Sequence, residues 1–243
     1  MITLHHLNSS RSQRIIWLLE ELGTPYEIKK YERTSEQLAP PELLKVFPLG
    51  KAPIITDTGA DAKGNIVLAE SGAIVEYLIR ANGNVRFVPP SSGQGYIDNL
   101  YFTHYAEGSI MPTMVQKAVF TMTVPQRSPW LLRGLLSGVL GKISEKIVTP
   151  ELKKHSDLVE AHLLNKQWFA GGDEPTSADF LMIFPVELLE YFNVAGPKTK
   201  EYVKRIHERL SRKAESSNTS NEWTTNPHVK RAVFLDGWED GKD

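Results

Sequence analysis

The sequence predicts a mixed α/β unit over residues 1–83, laid out βαβ–ββα, then a linker at 84–92 and an all-α region at 93–243. Three observations predict it. The first part alternates short β-rich runs with apolar residues at helical spacing. The stretch "NGNVRFVPPSSGQG", rich in Gly, Pro and Ser, then breaks the pattern. Beyond it only helical patterns recur. A small mixed sheet covered by helices, followed by a helical part, is the architecture that buries these faces.

The elements follow in order. "ITLHHL" alternates loosely and reads as the first strand. "NSSRSQRIIWLLEELG" reads as a helix: Ser or Asn stands at the N-cap, Ile15, Leu18, Leu19 and Leu22 recur on one face, and Gly23 closes it. "YEIKKY" is the second strand and "PPELLKVFP" a short helical or irregular piece. "APIITD" is the third strand, although Pro53 has no N–H for a ladder. "IVLAE" is the fourth, set off by the turn-rich "TGADAKGN". "SGAIVEYLIRANG" is a helix capped by Ser71 and ended near Gly83.

In the second part, "YIDNLYFTHYAEGSIMPTMVQKAVFTM" is a long helical pattern with a kink predicted at Pro112. Further helices are predicted around Leu131–Ile147, Glu151–Leu164, Ala178–Tyr191 and Lys200–Lys213, with a last short one near "TNPHVKRAV". "PTSADFLMIF" carries Thr176 with Asp179 three residues on, a capping box with Asp in place of the usual Glu or Gln. Such a cap stabilises a helix start by roughly 0.5–2 kcal/mol and does no chemistry.

Composition narrows the function. The chain has 243 residues, 41% hydrophobic and 23% charged, as a soluble globular protein does. A net charge of −1 supplies no field to recruit nucleic acid or anionic membrane. No apolar run is long enough to span a bilayer, and "MITLHHLNSS" turns polar too early for a signal peptide, so a cytoplasmic location is expected. With no cysteine there is no disulfide, thiolate metal site or protein thiol nucleophile. Sulfur chemistry would have to come from a bound small molecule. The seven histidines show no zinc-ligand spacing, and the adjacent His5 and His6 read as structural. No metal is expected.

The stretches "HHLNSSRSQRIIWLLEELGTPYE", "PLGKAPII" and "LAESGAIVEYL", with "YAEGSIMP" and "TSADFLMIFP" further on, resemble the cytosolic glutathione transferases. The resemblance is to the Ser-type fungal and bacterial members, among them the yeast membrane-associated family. It covers nearly the whole chain, and the three N-terminal motifs are specific only together. It implies a thioredoxin-like first domain, a helical second domain, a homodimer, and detoxifying attack of glutathione on hydrophobic electrophiles or hydroperoxides. Peripheral membrane association is a further implication. Glutathione enters as co-substrate and no separate cofactor is implied.

Residue by residue, the resemblance implies that Pro53 follows a cis bond and that Ala52 presents its backbone to the cysteinyl part of glutathione. Ser71, at a helix N-terminus, suits the γ-glutamyl carboxylate, Glu70 its ammonium, and Lys51 the glycyl carboxylate. A free thiol has a pKa of about 8.5, so only about 3% is thiolate at pH 7, and a donor must stabilise the anion. Ser9, Ser10 and Ser12 offer hydroxyls at the first helix's start, with Asn8 as an outsider. Aligning "SSRSQR" with the Ser-type motif points to Ser10, with Ser9 as runner-up. Arg14 matches a helix arginine that is usually structural; Arg11 departs from the family's patterns. The electrophile pocket is expected between the domains, with Tyr101, Tyr105, Met111, Met114 and Phe120 as candidate walls. The alternatives are a non-catalytic carrier of glutathione or apolar ligands, and a transferase-like interaction module.

Overall fold

The computed structural model describes residues 1–8, 10–36, 38–61, 64–81 and 85–216. Strand β1 (Ile2–Leu7) pairs in parallel with β2 (Tyr26–Tyr31) and antiparallel with β3 (Ile54–Asp61). Strand β4 (Gly64–Ala69) closes the order β2-β1-β3-β4. The turn-rich "TGADAKGN" is mostly strand: β3 runs on to Asp61 and β4 begins at Gly64. A register shift between Asp57 and Asp61 accommodates the extra residues, a bulge that turn-residue counting does not register.

Helix α1 (Gln13–Leu22) crosses over between β1 and β2. Its Ile15, Leu18 and Leu19 are fully buried, and Gly23 ends it at φ 64°, a left-handed conformation that a Cβ disfavours. Helix α3 (Ser71–Ala81) buries Ile74, Val75 and Leu78 in the same core. The opposite sheet face carries a smaller cluster of Leu7, Tyr31 and Ile54 over Leu43 of α2 (Glu42–Val46). Both sheet faces are therefore covered, which explains why His5 and His6 are both buried.

Phe87, in a 3₁₀ turn at Val85–Phe87, is fully buried with its ring edge-on to Phe180, 5.5 Å away. Helices α4 (Gly93–Tyr105), α5 (Met111–Ala118) and α6 (Val124–Arg127) follow one another through π-helical turns at Ala106–Ile110 and Val119–Thr123. Helix α7 (Trp130–Ile143) joins α8 (Thr149–Leu163) through another at Ser144–Val148. Each wide turn ends just before a proline: Pro112, Pro125 or Pro150. A proline lacks the N–H that would return to the carbonyl four residues back, and its ring crowds that carbonyl. The wider turn absorbs both defects, and the kink expected at Pro112 takes this form.

Helices α9 (Ser177–Tyr191) and α10 (Pro197–Ser216) complete the described chain. The short helix expected near "TNPHVKRAV" lies outside the described residues. Every residue of α9 from Ser177 to Leu189 is buried, as a helix that is apolar on most sides requires. Its capping box is formed, with the Thr176 N–H donating to Asp179 Oδ2 at 2.8 Å. The two halves share one core. The Trp17 ring of α1 lies 4.5 Å from Phe180 and 6.5 Å from Trp168. Burying one such side chain stabilises by about 1.5–3 kcal/mol. Among the described residues no helix is long and apolar enough to cross a membrane.

Candidate functional site

Register gathers the predicted residues. Ile54 of β3 lies opposite His5 of β1 and Ala69 of β4. The residues after β1, before β3 and after β4 therefore meet at one end of the sheet. They are Asn8 and residues 10–12, Lys51–Pro53, and Glu70 with Ser71. Two helices, α1 and α3, also begin at this end, and the free N–H groups of a helix start favour anions.

The Ala52–Pro53 peptide bond is cis. Pro53 is buried, Ala52 packs against the smaller cluster beneath the sheet, and Lys51 is exposed. Glu70 is exposed and holds φ 70°, a left-handed backbone that costs a non-glycine residue about 1–2 kcal/mol. Its carbonyl accepts the Ile74 N–H at 2.9 Å, so this residue both starts α3 and sets the direction in which the helix leaves.

Ser71 is buried, and its hydroxyl oxygen accepts a hydrogen bond from Arg14 Nη1 at 3.0 Å. Arg14 has no exposed side-chain surface and also pairs with Glu107, which sits in the π-turn between α4 and α5. Glu107 reaches Arg11 Nε as well, at 3.3 Å. Burial pushes the Arg14 guanidinium down to about 10, against the pull of Glu107, so it stays cationic at neutral pH. The sequence alone marks Arg14 as structural and does not single out Glu107. The signal for Glu107 was available: an acid inside "AEGSIMP", where Gly and Pro already mark irregular helix.

At the start of α1, Ser10 is buried and donates its one hydroxyl proton to Leu7 O at 2.6 Å. The 2.7 Å contact between Ser10 Oγ and Ser12 Oγ is therefore donated by Ser12, and the Ser12 N–H adds a 3.3 Å bond to the same oxygen. Ser12 is the N-cap of α1 in position, but its hydroxyl serves Ser10 rather than the helix. Ser9 lies outside the described residues. Asn8 is tied to Arg33, whose N–H donates to Asn8 Oδ1 at 2.9 Å. Gln13, in the first turn of α1, donates to buried Glu187 of α9 at 2.7 Å, and Glu187 also meets His207 at 2.6 Å. The second half of the chain thus braces the helix that begins beside Ser10.

Tyr105, Met111 and Met114 lie in the core, almost without exposed surface. The Tyr105 ring stacks on Tyr101 at 5.4 Å, and its hydroxyl meets His155 Nδ1 at 2.5 Å. Phe120 is half-buried and Tyr101 exposed. Helical spacing groups these residues but does not separate a core-facing position from a cleft-facing one.

A mixed four-stranded sheet with two helix starts at one edge, a cis-proline before β3 and a helical half packed on α1 and α3 defines the thioredoxin-like fold of glutathione-handling enzymes. The sequence model of the glutathione S-transferase N-terminal domain matches residues 1–80. Glutathione S-transferase 3 of Schizosaccharomyces pombe is 37% identical over 76% of this chain and 73% of its own. Glutathione S-transferase 1 of Saccharomyces cerevisiae is 30% identical over 82% and 85%. A solved glutathione S-transferase of Actinobacillus pleuropneumoniae aligns at TM-score 0.62 and 29% identity over 90% of this chain and 93% of that one. A transferase family member of Pseudomonas fluorescens, crystallised with two glutathione bound, shares the fold at TM-score 0.62 and 20% identity over 96% and 92%. The chain belongs to the glutathione S-transferase family and is a glutathione transferase.

Proposed function

We propose that the sheet edge formed by Lys51–Pro53, Glu70 and Ser71 binds glutathione, and that Ser10 stabilises its thiolate for attack on hydrophobic electrophiles. The observation that carries this reading is the convergence of two helix starts with a charge-backed serine at one edge. Ser71 and the first N–H groups of α3 hold the γ-glutamyl carboxylate. Glu70 accepts from the ammonium, Lys51 meets the glycyl carboxylate, and the Ala52 backbone pairs with the cysteinyl residue. Ser10 swings its proton from Leu7 O to sulfur while Ser12 keeps donating into it, so the hydroxyl chain ends on the thiolate. In conjugation the thiol proton leaves to solvent, a C–S bond forms and the leaving group departs. With a hydroperoxide, sulfur attacks the terminal oxygen, the O–O bond breaks and the alcohol leaves, giving the sulfenic acid of glutathione; a second glutathione thiol then displaces its hydroxyl as water and forms the disulfide.

Retention on immobilised glutathione, then turnover of a chloronitroarene, tests the reading. Both are expected. Retention without turnover makes the chain a carrier, and neither makes it an interaction module. Glu70→Gly separates binding from folding. Glycine tolerates φ 70° but loses more freedom on folding, so the two effects nearly cancel in stability. The KM for glutathione is expected to rise severalfold with little change in melting temperature; an unchanged KM removes Glu70 from the ammonium role.

We also propose a cytoplasmic homodimer that associates peripherally with membranes. Tyr96, Ile97, Leu100 and Tyr101 expose one apolar face of α4, which suits a second copy. Helix α7 has no buried residue and exposes Trp130, Leu131, Leu132, Leu135 and Val139. Arg127, Arg133, Lys142 and Lys146 flank it against Glu145, which Lys117 already pairs at 3.2 Å, a balance that suits an anionic bilayer surface. Sedimentation checks both: twice the 27.3 kDa chain mass in buffer, and co-sedimentation with phosphatidylserine vesicles. A one-chain mass, or a protein left in the supernatant, rejects the corresponding part.

A further inference from the structure

We propose that Arg14 is a positioning residue for the γ-glutamyl carboxylate: it occupies the acceptor side of the Ser71 hydroxyl and so turns that hydroxyl's only proton toward the ligand. The inference rests on the assignment of Ser71 to that carboxylate and adds what makes the serine a donor there.

A guanidinium only donates. At 3.0 Å from Arg14 Nη1, Ser71 Oγ must therefore accept, and its own proton is left to find an acceptor elsewhere. Ser71 is the first residue of α3, so the free N–H groups of that helix start accompany the proton. A carboxylate fits this set of donors. Arg14 itself is sealed off, with no exposed side-chain surface, so it acts through Ser71 and does not touch the ligand.

The fork is aimed from two sides. Glu107 holds Nη1, and the Phe184 ring lies 5.3 Å from the guanidinium carbon. Among the described residues, Nε and Nη2 have no hydrogen-bond partner in this burial. A buried cation with two idle donors is a poor structural device, because an apolar side chain of similar volume is often as stable or more so. The charge is better explained by its place behind the start of α3, where it adds to the helix's own attraction for an anion. Arg14 is also on α1, shortly after Ser10, so one residue ties the carboxylate end of the site to the thiol end.

The test compares glutathione with the analogue in which hydrogen replaces the γ-glutamyl α-carboxylate, 4-aminobutyryl-cysteinyl-glycine. Calorimetric affinities for both are measured in the parent chain, Ser71→Ala, Arg14→Met and Arg14→Lys, alongside melting temperatures and steady-state kinetics. The parent is expected to prefer glutathione at least about tenfold, as a hydrogen bond to a charged group implies. Arg14→Met, matched in volume, is expected to stay folded and lose most of that preference. Its KM for glutathione rises while kcat at saturation changes little. Arg14→Lys keeps the charge and is expected to hold the preference within about threefold, which decides the matter if Arg14→Met does not fold. If Arg14→Met weakens both ligands equally while Ser71→Ala abolishes the preference, Arg14 is only structural. A lost preference in Arg14→Lys with an unperturbed melt overturns the inference as well. If Ser71→Ala leaves the preference untouched, the assignment of the site fails and this inference falls with it.

Discussion

Ser10→Ala is expected to cut conjugation about 100-fold at neutral pH while leaving the KM for glutathione within a few fold. Two effects set the size. A hydroxyl bond that lowers a thiol pKa by about two units raises the thiolate fraction at pH 7 from about 3% to about three quarters, so losing it costs about 25-fold in thiolate alone. Loss of one preorganised donor to a reacting anion costs about 10²–10³ in turnover elsewhere. Binding is spared because the two carboxylates and the ammonium are assigned to other residues. Ser12→Ala should cost less, since it removes only the donor behind Ser10. The pH at which glutathione becomes reactive should rise in Ser10→Ala toward the free-thiol value, read as the thiolate absorbance of the bound tripeptide. If turnover and this titration both match the parent, Ser10 holds Leu7 O and nothing more, and the activator lies elsewhere in the Asn8–Ser12 segment.

Asp179→Ala is expected to lower the unfolding free energy by about 3–5 kcal/mol, a large share of the roughly 5–15 kcal/mol that holds a domain together. The carboxylate has no exposed surface and accepts four bonds: from Phe169 N–H at 2.9 Å, Tyr202 O–H at 2.9 Å, Thr176 N–H at 2.8 Å and Thr176 O–H at 3.2 Å. Alanine leaves all four donors buried and unpaired and removes the cap of α9. Denaturant melts check this, and a loss under about 1 kcal/mol would show that water replaces the carboxylate without penalty. The same group gives a pH signature. Burial outweighs the four donors and pushes the Asp179 carboxyl up to about 6, above the unfolded value of about 3.9. Between these values the folded chain keeps a proton that the unfolded chain has released. The contribution is therefore full below about pH 4 and is lost as pH rises through about 6. Asp179→Asn cannot titrate, and the difference between its stability and the parent's should change across that window.

The sequence by itself determined the order of the elements and the helix ends that rest on capping residues a few positions apart. The βαβ–ββα order came from period and turn chemistry, the start of α3 from Ser71, the end of α1 from Gly23, and the start of α9 from Thr176 and Asp179. Pro112 announced a break in the long helix, though not that the chain would resolve it as a π-turn. The family motifs marked the sheet edge because their residues are strand ends, and strand ends are legible from local pattern. What only the tertiary structure decided concerns partners far apart in the chain. Arg14 meets Ser71 across 57 positions and Glu107 across 93, and Gln13 meets Glu187 across 174. No local periodicity encodes such pairs. The Ser10 proton is a short-range exception: three hydroxyls in four residues look alike in sequence, and the folded backbone alone shows that Leu7 O, three residues back, accepts from Ser10. Met111 and Met114 fell to the core for the same reason, since helical spacing reports which residues share a face and the packed partner alone reports what that face sees.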